Sequence, residues 1–188
     1  EPTTAVITAV VTQPAITSDH GSLAPVMAAH TLNGQDAPGA VHTDAGLSSL
    51  VRVSAGDVSP LQPAAPGVEW AGPRLSPDGR TVAATMAHGG NLDVVLLAPD
   101  GDSARAVTSA AALDQSPAFS PDGAWLLWSS DRGGRSQLYA ARTAAPGAAW
   151  WRVTEEPFGA YAPAPAQDSV FFLAYHADGF RLTAVPFD

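Results

Sequence analysis

A tetrapeptide that occurs twice, Ser76-Pro77-Asp78-Gly79 and Ser120-Pro121-Asp122-Gly123, constrains this chain more than any other feature. It is turn chemistry: proline presets φ, the aspartate side chain accepts hydrogen bonds from nearby amides, and glycine accepts a positive φ. Gly72-Pro73-Arg74-Leu75 precedes the first copy and Ser116-Pro117-Ala118-Phe119 the second; the strand-like runs Thr81 to Ala87 and Ala124 to Ser130 follow them. The second run carries Trp125, Leu126, Leu127 and Trp128 in succession, which suits a strand buried on both faces. From Ser76 to Ser120 is 44 residues, and a period of that length marks a repeat architecture.

Taken along the chain, the repeat reads as four units, at 21–67, 70–110, 115–155 and 160–188. The second unit is the cleanest. Its first strand, Gly72 to Leu75, leads through the turn to Thr81–Ala87, then the turn His88-Gly89-Gly90-Asn91, the strand Leu92–Ala98 and the closing strand Ala104–Thr108. The third repeats that order with the turn Asp131-Arg132-Gly133-Gly134, and ends on Trp150–Thr154. The first is degenerate: Asn33-Gly34 replaces the turn, and strands follow near Ala40–Thr43, Ser49–Ser54 and Val58–Gln62. The fourth has strands Ser169–Tyr175 and Phe180–Val185 around the turn His176-Ala177-Asp178-Gly179 and then stops, one strand short.

Four short strands per unit, hairpin after hairpin, is the pattern of a β-propeller blade. The expected fold is therefore all-β, a propeller of about four blades with four antiparallel strands each. The run Ala5–Thr12 ends in Val-Thr, as do the closing strands at Val107-Thr108 and Val153-Thr154. It is expected to serve, within residues 1–14, as the missing outer strand of the fourth blade, closing the ring and covering two open edges.

Composition narrows the function. With 46% apolar and 14% charged residues the chain is expected to fold. Its net charge of −9, with nine scattered Arg residues and no Lys, argues against a nucleic-acid partner. No apolar run approaches the roughly 18 residues a membrane span needs. There is no Cys, hence no disulfide or thiolate metal site. The chain opens on Glu1, as a processed secreted protein or a trimmed one would.

The stretch Pro117 to Tyr139, with Pro-x-Phe-Ser-Pro-Asp-Gly, a strand, Ser-Asp-Arg-Gly-Gly and a strand containing Leu-Tyr, resembles the TolB-like, WD-repeat-like β-propeller family. That resemblance implies a secreted or periplasmic, non-catalytic module that binds a protein or peptide on a loop face or in its channel. It equally implies the propeller that gates a prolyl-oligopeptidase-like serine peptidase; a sugar-binding or small-molecule-binding propeller is a third reading. The chain has no G-x-S-x-G nucleophile elbow, so intrinsic catalysis is not expected.

The candidate binding residues lie in the turns between second and third strands, which share one face in a propeller. They are His42 and Asp44 in the first unit, His88 in the second, Asp131 and Arg132 in the third, and His176 and Asp178 in the fourth. Such a ring would grip a ligand or respond to pH; the stronger reading is that Asp and His beside Gly cap their own turns. A metal shared by all of them is not expected, because ligands must lie about 2 Å from the ion and each strand adds about 4.8 Å. No cofactor is implied. Trp150 and Trp151 are expected to cover an outer strand, or, if exposed, to meet a partner.

Overall fold

The computed structural model of the chain describes residues 6–10, 50–54, 57–62 and 65–187, and its strands fall into four antiparallel sheets that succeed one another along the chain. The first sheet holds β1 (Val6–Val10), β2 (Leu50–Ser54) and β3 (Asp57–Gln62). The second holds β4 (Val68–Leu75), β5 (Val82–His88), β6 (Asn91–Leu97) and β7 (Ala104–Ala106). The third holds β8 (Gln115–Phe119), β9 (Trp125–Ser130), β10 (Gln137–Arg142) and β11 (Trp151–Arg152), and the fourth β12 (Ala160–Pro165), β13 (Ser169–His176) and β14 (Gly179–Pro186). In sheets two to four the order across the sheet is the order along the chain, the up-and-down pattern of a propeller blade.

The repeated turn folds as its residues dictate. Ser120 Oγ donates to Asp122 Oδ1 at 2.5 Å and accepts from the Trp125 amide at 2.9 Å, while the Ala124 amide also donates to Asp122 Oδ1, at 3.0 Å. Ser76, Asp78, Arg80 and Thr81 make the same three bonds in the earlier copy. Gly79 and Gly123 take φ of 72° and 71°, a region open to glycine without strain. The serine hydroxyl, then the backbone amide, holds each aspartate below the ordinary carboxylate value of 3.8. A depressed carboxyl contributes stability above its unfolded value and loses it as pH falls through the folded one. The Asp78→Asn/Asp122→Asn double variant should therefore be less stable than wild type at neutral pH. That gap should close below pH 3.8; a gap unchanged from neutral to strongly acidic pH, measured by denaturant titration, would contradict this.

A second periodic device sits in the first strand of each later blade. Register slips between Ala71 and Arg74, Gln115 and Ala118, and Tyr161 and Ala164, each a β-bulge. The bulged residues Gly72, Ser116 and Ala162 have φ of 56°, 58° and 52°, and each precedes a proline. The bulge turns an amide toward the preceding blade. Ser116 N donates to Thr85 Oγ1 at 3.1 Å, and Ala162 N donates to Ser129 Oγ at 3.0 Å. Thr85 and Ser129 occupy the same position on β5 and β9, opposite Ala71 and Gln115. Left-handed φ costs a non-glycine residue about 1–2 kcal/mol, part of which glycine's greater unfolded-state entropy offsets. Ala162→Gly and Ser116→Gly should therefore each stabilise by about 0.5–1 kcal/mol in denaturant titrations, a gain that fails to appear if these bulges are absent.

The sheets bury one another's faces. Leu50 and Leu61 of the first pack on Trp70, Val82, Ala84, Val95 and Leu97 of the second. The opposite face of the second, Ala83, Val94 and Leu96, meets Leu126, Trp128, Tyr139 and Ala141 of the third. Leu127, Leu138 and Ala140 then meet Ala160, Val170, Phe172 and Ala174 of the fourth. Alternation along each strand assigns neighbours to opposite junctions, so the core is a series of layers between blades.

The recurring Val-Thr pair extends each outer strand. Val107 N and Val153 N donate to the carbonyls of Val94 and Leu138, while Thr108 Oγ1 and Thr154 Oγ1 accept from the amides of those residues.

The leading strand departs from expectation. β1 does not complete the fourth sheet; it pairs antiparallel with β2, Val6 opposite Val53 and Val10 opposite Leu50, and lies against β4. A Val-rich strand suits any open edge, and its ending in Val-Thr carries no information about which. Hydrogen bonding to the β2–β3 hairpin combined with contact to the second blade decides the choice here. The expected turn at Asn33-Gly34 and strand near Ala40–Thr43 lie outside the described residues.

Candidate functional site

The turns between second and third strands lie at one end of each sheet. His88, Arg132 and His176 are spaced by 44 residues and occupy equivalent positions, because Thr85, Ser129 and Leu173 stand at equivalent points in the ladders that precede them. His42 and Asp44 lie outside the described residues. In the second blade, His88 pairs with Asn91 across a two-residue turn whose Gly89 and Gly90 both take positive φ, a type I′ geometry. His88 is exposed. In the fourth, His176 pairs with Gly179 and is half-buried, and the exposed Asp178 accepts from Arg181 at 2.5 Å.

The third turn does structural work. Asp131 Oδ1 accepts from the Leu113 amide at 2.8 Å, tying the linker between blades to this turn. Arg132 Nη2 meets Asp114 Oδ1 at 2.8 Å, with Asp114 fully buried and Arg132 12% exposed. Trp128 Nε1 donates to the same carboxylate oxygen at 3.1 Å, and Arg132 Nε donates to Ser130 Oγ at 2.9 Å. The guanidinium lies over the rings of Trp150, Tyr139 and Trp128, at 4.4, 5.0 and 5.6 Å. Arg132 is thus paired and stacked, leaving little of its charge to a ligand. Trp150 stays half exposed above it, and Trp151 half exposed at the edge of Trp125.

Beside these residues a cleft of about 490 Å³ opens between the second and third blades. The turn Gly89–Asn91, the linker Ser109–Leu113 and Asp131 line it. Asn91 Nδ2 donates to the Ala110 carbonyl at 3.0 Å, the Asp114 amide donates to the Leu92 carbonyl at 2.9 Å, and Leu92 bridges Leu113. Both walls are therefore fixed in advance. The half-exposed Leu113 supplies the one large apolar side chain of a lining otherwise made of small and polar residues.

A second cleft lies at the opposite end, between the third and fourth blades, where Asp122, Trp125, Gln167 and Phe187 line about 490 Å³. Trp125 meets Phe187 edge-on at 5.5 Å, and the Arg142 guanidinium lies 3.9 Å from its ring. Among the described residues no group of three or more His, Cys, Asp or Glu could hold a metal ion.

Of the predicted ring, the structure sets His88, Arg132 and His176 at the same position of successive blades and commits Asp131, Arg132 and Asp178 to internal partners. Asp114 went unread, although it anchors a buried network with Arg132 and Trp128. Its equivalents in the neighbouring blades are Trp70 and Ala160, so a reading based on repetition passes over it.

The family model for the TolB beta propeller domain matches residues 59–183. The chain belongs to the TolB β-propeller family. A TolB homolog from Chlorobium luteolum is 39% identical over 75 residues, covering 38% of this chain and 17% of that protein. An uncharacterised Agrobacterium fabrum protein is 29% identical over 107 residues, 56% of this chain and 36% of that one. Among solved structures, a TolB-type protein from Agrobacterium tumefaciens superposes with a TM-score of 0.66 at 23% identity, over 77% of this chain and 55% of that one. A prolyl endopeptidase structure is also similar, with a TM-score of 0.60 at 15% identity over 76% of this chain and 22% of that one. The chain therefore spans roughly half or less of these TolB-like relatives. No helix among the described residues is long and apolar enough to cross a membrane.

Proposed function

We propose that this TolB-type propeller is a non-catalytic binding module, acting in a secreted or periplasmic setting, that engages a peptide or an extended protein segment at the loop face. The cleft between the second and third blades carries the proposal. It is open, its walls are cross-braced before any ligand arrives, and most of its lining residues, Gly89, Gly90, Ser109 and Ala110 to Ala112, have small side chains that screen the main chain little. Main-chain polar groups suit a partner that is itself main chain, and a fixed site lowers the entropic cost of binding. The exposed His88, next to Gly89 of the lining, adds a polar side chain beside the cleft.

Selection of a phage-displayed random peptide library on the immobilised chain tests this. Enriched peptides should bind wild type and lose at least about tenfold in affinity, or ~1.4 kcal/mol, to Ala111→Trp, which fills the cleft from an exposed position. No enrichment, or binding indifferent to that substitution, contradicts the reading. The likeness to a prolyl endopeptidase supports a second reading, in which the same blades gate substrate for a catalytic domain. It predicts that enriched peptides bind along the blade axis and ignore Ala111→Trp.

A further inference from the structure

Three hydrogen bonds fix the polar side chains of the cleft between the second and third blades, and they leave acceptors over. Asn91 Nδ2 spends both its hydrogens, one on Asp93 Oδ2 and one on the Ala110 carbonyl, each at 3.0 Å. The side-chain amide is thereby oriented, and its Oδ1 has no partner among the described residues. Asp131 is held in the same manner. Its Oδ1 accepts from the Leu113 amide at 2.8 Å, which leaves Oδ2 as the uncommitted carboxylate oxygen. Both residues are half-buried and both line the cleft, Asn91 from the second blade and Asp131 from the third.

Donors are scarcer there. The amides of Ala112 and Leu113 are already spent, on the Ala110 carbonyl and on Asp131. No basic residue lines the cleft. Arg132, next to Asp131 in the chain, turns its guanidinium to the buried Asp114 at 2.8 Å and lies over Trp150. Asp131 is therefore the one ionisable residue of the lining, and it forms no ion pair among the described residues. The chain's net charge of −9 adds to the attraction this site holds for a cation.

We propose that the cleft selects peptides by a cationic group, either a basic side chain or a free amino terminus, bound between Asp131 Oδ2 and Asn91 Oδ1. The inference rests on the reading of this cleft as a peptide site and adds the chemistry by which a peptide is chosen. Every N–H of such a group is a donor, and a charge-assisted bond to a carboxylate is roughly twice as strong as a neutral one. An acidic segment would be repelled, and an apolar one would leave both oxygens unpaired. Leu113, 43% exposed and tied through its amide to Asp131, offers an apolar contact beside the charge. The favoured sequence is thus a cationic group next to an apolar side chain.

Peptides enriched on the wild-type chain, resynthesised with each cation removed in turn, test this by fluorescence anisotropy. Norleucine in place of Lys, citrulline in place of Arg and an acetylated amino terminus identify which cation is read. One of the three should weaken binding at least about tenfold, or ~1.4 kcal/mol. Asp131→Asn should cost the charged peptide as much and the neutralised peptide no more, because the two changes remove one contact. Asparagine keeps an acceptor for the Leu113 amide, so the circular dichroism and thermal transition should stay those of wild type. Asp102→Asn removes the same charge from an exposed turn at the other end of β6 and should change affinity less than about twofold. Peptides that are lost to Ala111→Trp yet carry no cation, or that bind Asp131→Asn and wild type alike, would overturn this inference and leave the peptide reading standing. A selection that enriches no peptide would remove both.

Discussion

Replacing Asp114 with alanine is expected to lower the free energy of unfolding by about 3–5 kcal/mol and the melting temperature by roughly 10 °C. The carboxylate is fully buried and holds two donors, the Arg132 guanidinium and the Trp128 indole. Removing it strands a nearly buried cation among three aromatic rings and leaves an indole N–H unpaired. The loss should exceed that of Arg152→Ala, whose exposed pairing with Glu155 is worth under about 1 kcal/mol. Attraction inside the protein and the cost of drying both charges nearly cancel. The paired replacement Asp114→Leu/Arg132→Met should therefore recover much of the stability that either single change loses. Equal costs for Asp114→Ala and Arg152→Ala, by denaturant titration, would show that the network does not anchor the linker to the third blade.

Phe172→Ala should cost about 3–5 kcal/mol, whereas Phe171→Ala should cost under about 1 kcal/mol. These adjacent phenylalanines differ only in which way the strand points them. Phe172 is 1% exposed and packs with Leu127, Leu138 and Val170 between the third and fourth blades; Phe171, on the opposite face of the strand, is 42% exposed. Truncating the first opens a cavity that rigid neighbouring strands cannot collapse into, while truncating the second removes surface already in water. Comparable costs at the two positions would mean that the junction between these blades is not formed as described.

The features that repeat were legible in the sequence. The turn at Ser120-Pro121-Asp122-Gly123 announces its own hydrogen bonds, and the spacing to its earlier copy fixes blade length. The pairs Val107-Thr108 and Val153-Thr154 marked strand ends correctly because both threonine hydroxyls lengthen a ladder. What does not repeat was not legible. Asp114 has no counterpart in the other blades, and nothing local distinguishes it from an exposed turn aspartate. The partner of the leading strand was misread because Val-rich strands carry no address; tertiary contact with β4 supplies it. The candidate ring of His, Asp and Arg was located by its turns, yet sequence alone did not separate Arg132, consumed by a buried pair, from His88, which remains exposed. The bulges had a signal, a proline after Gly72, Ser116 and Ala162, whose meaning emerges only once the hydroxyls of Thr85 and Ser129 are seen opposite.

Amide hydrogen exchange at Ser116 and Ala162 tests the stacked-blade architecture most directly. Both residues sit exposed in bulges, where no strand partner protects their N–H groups. If successive blades are latched as described, both amides exchange slowly in wild type. Thr85→Ala then releases only Ser116, and Ser129→Ala only Ala162. Exchange at the unprotected rate in wild type, or slow exchange that survives both substitutions, would contradict the stacking.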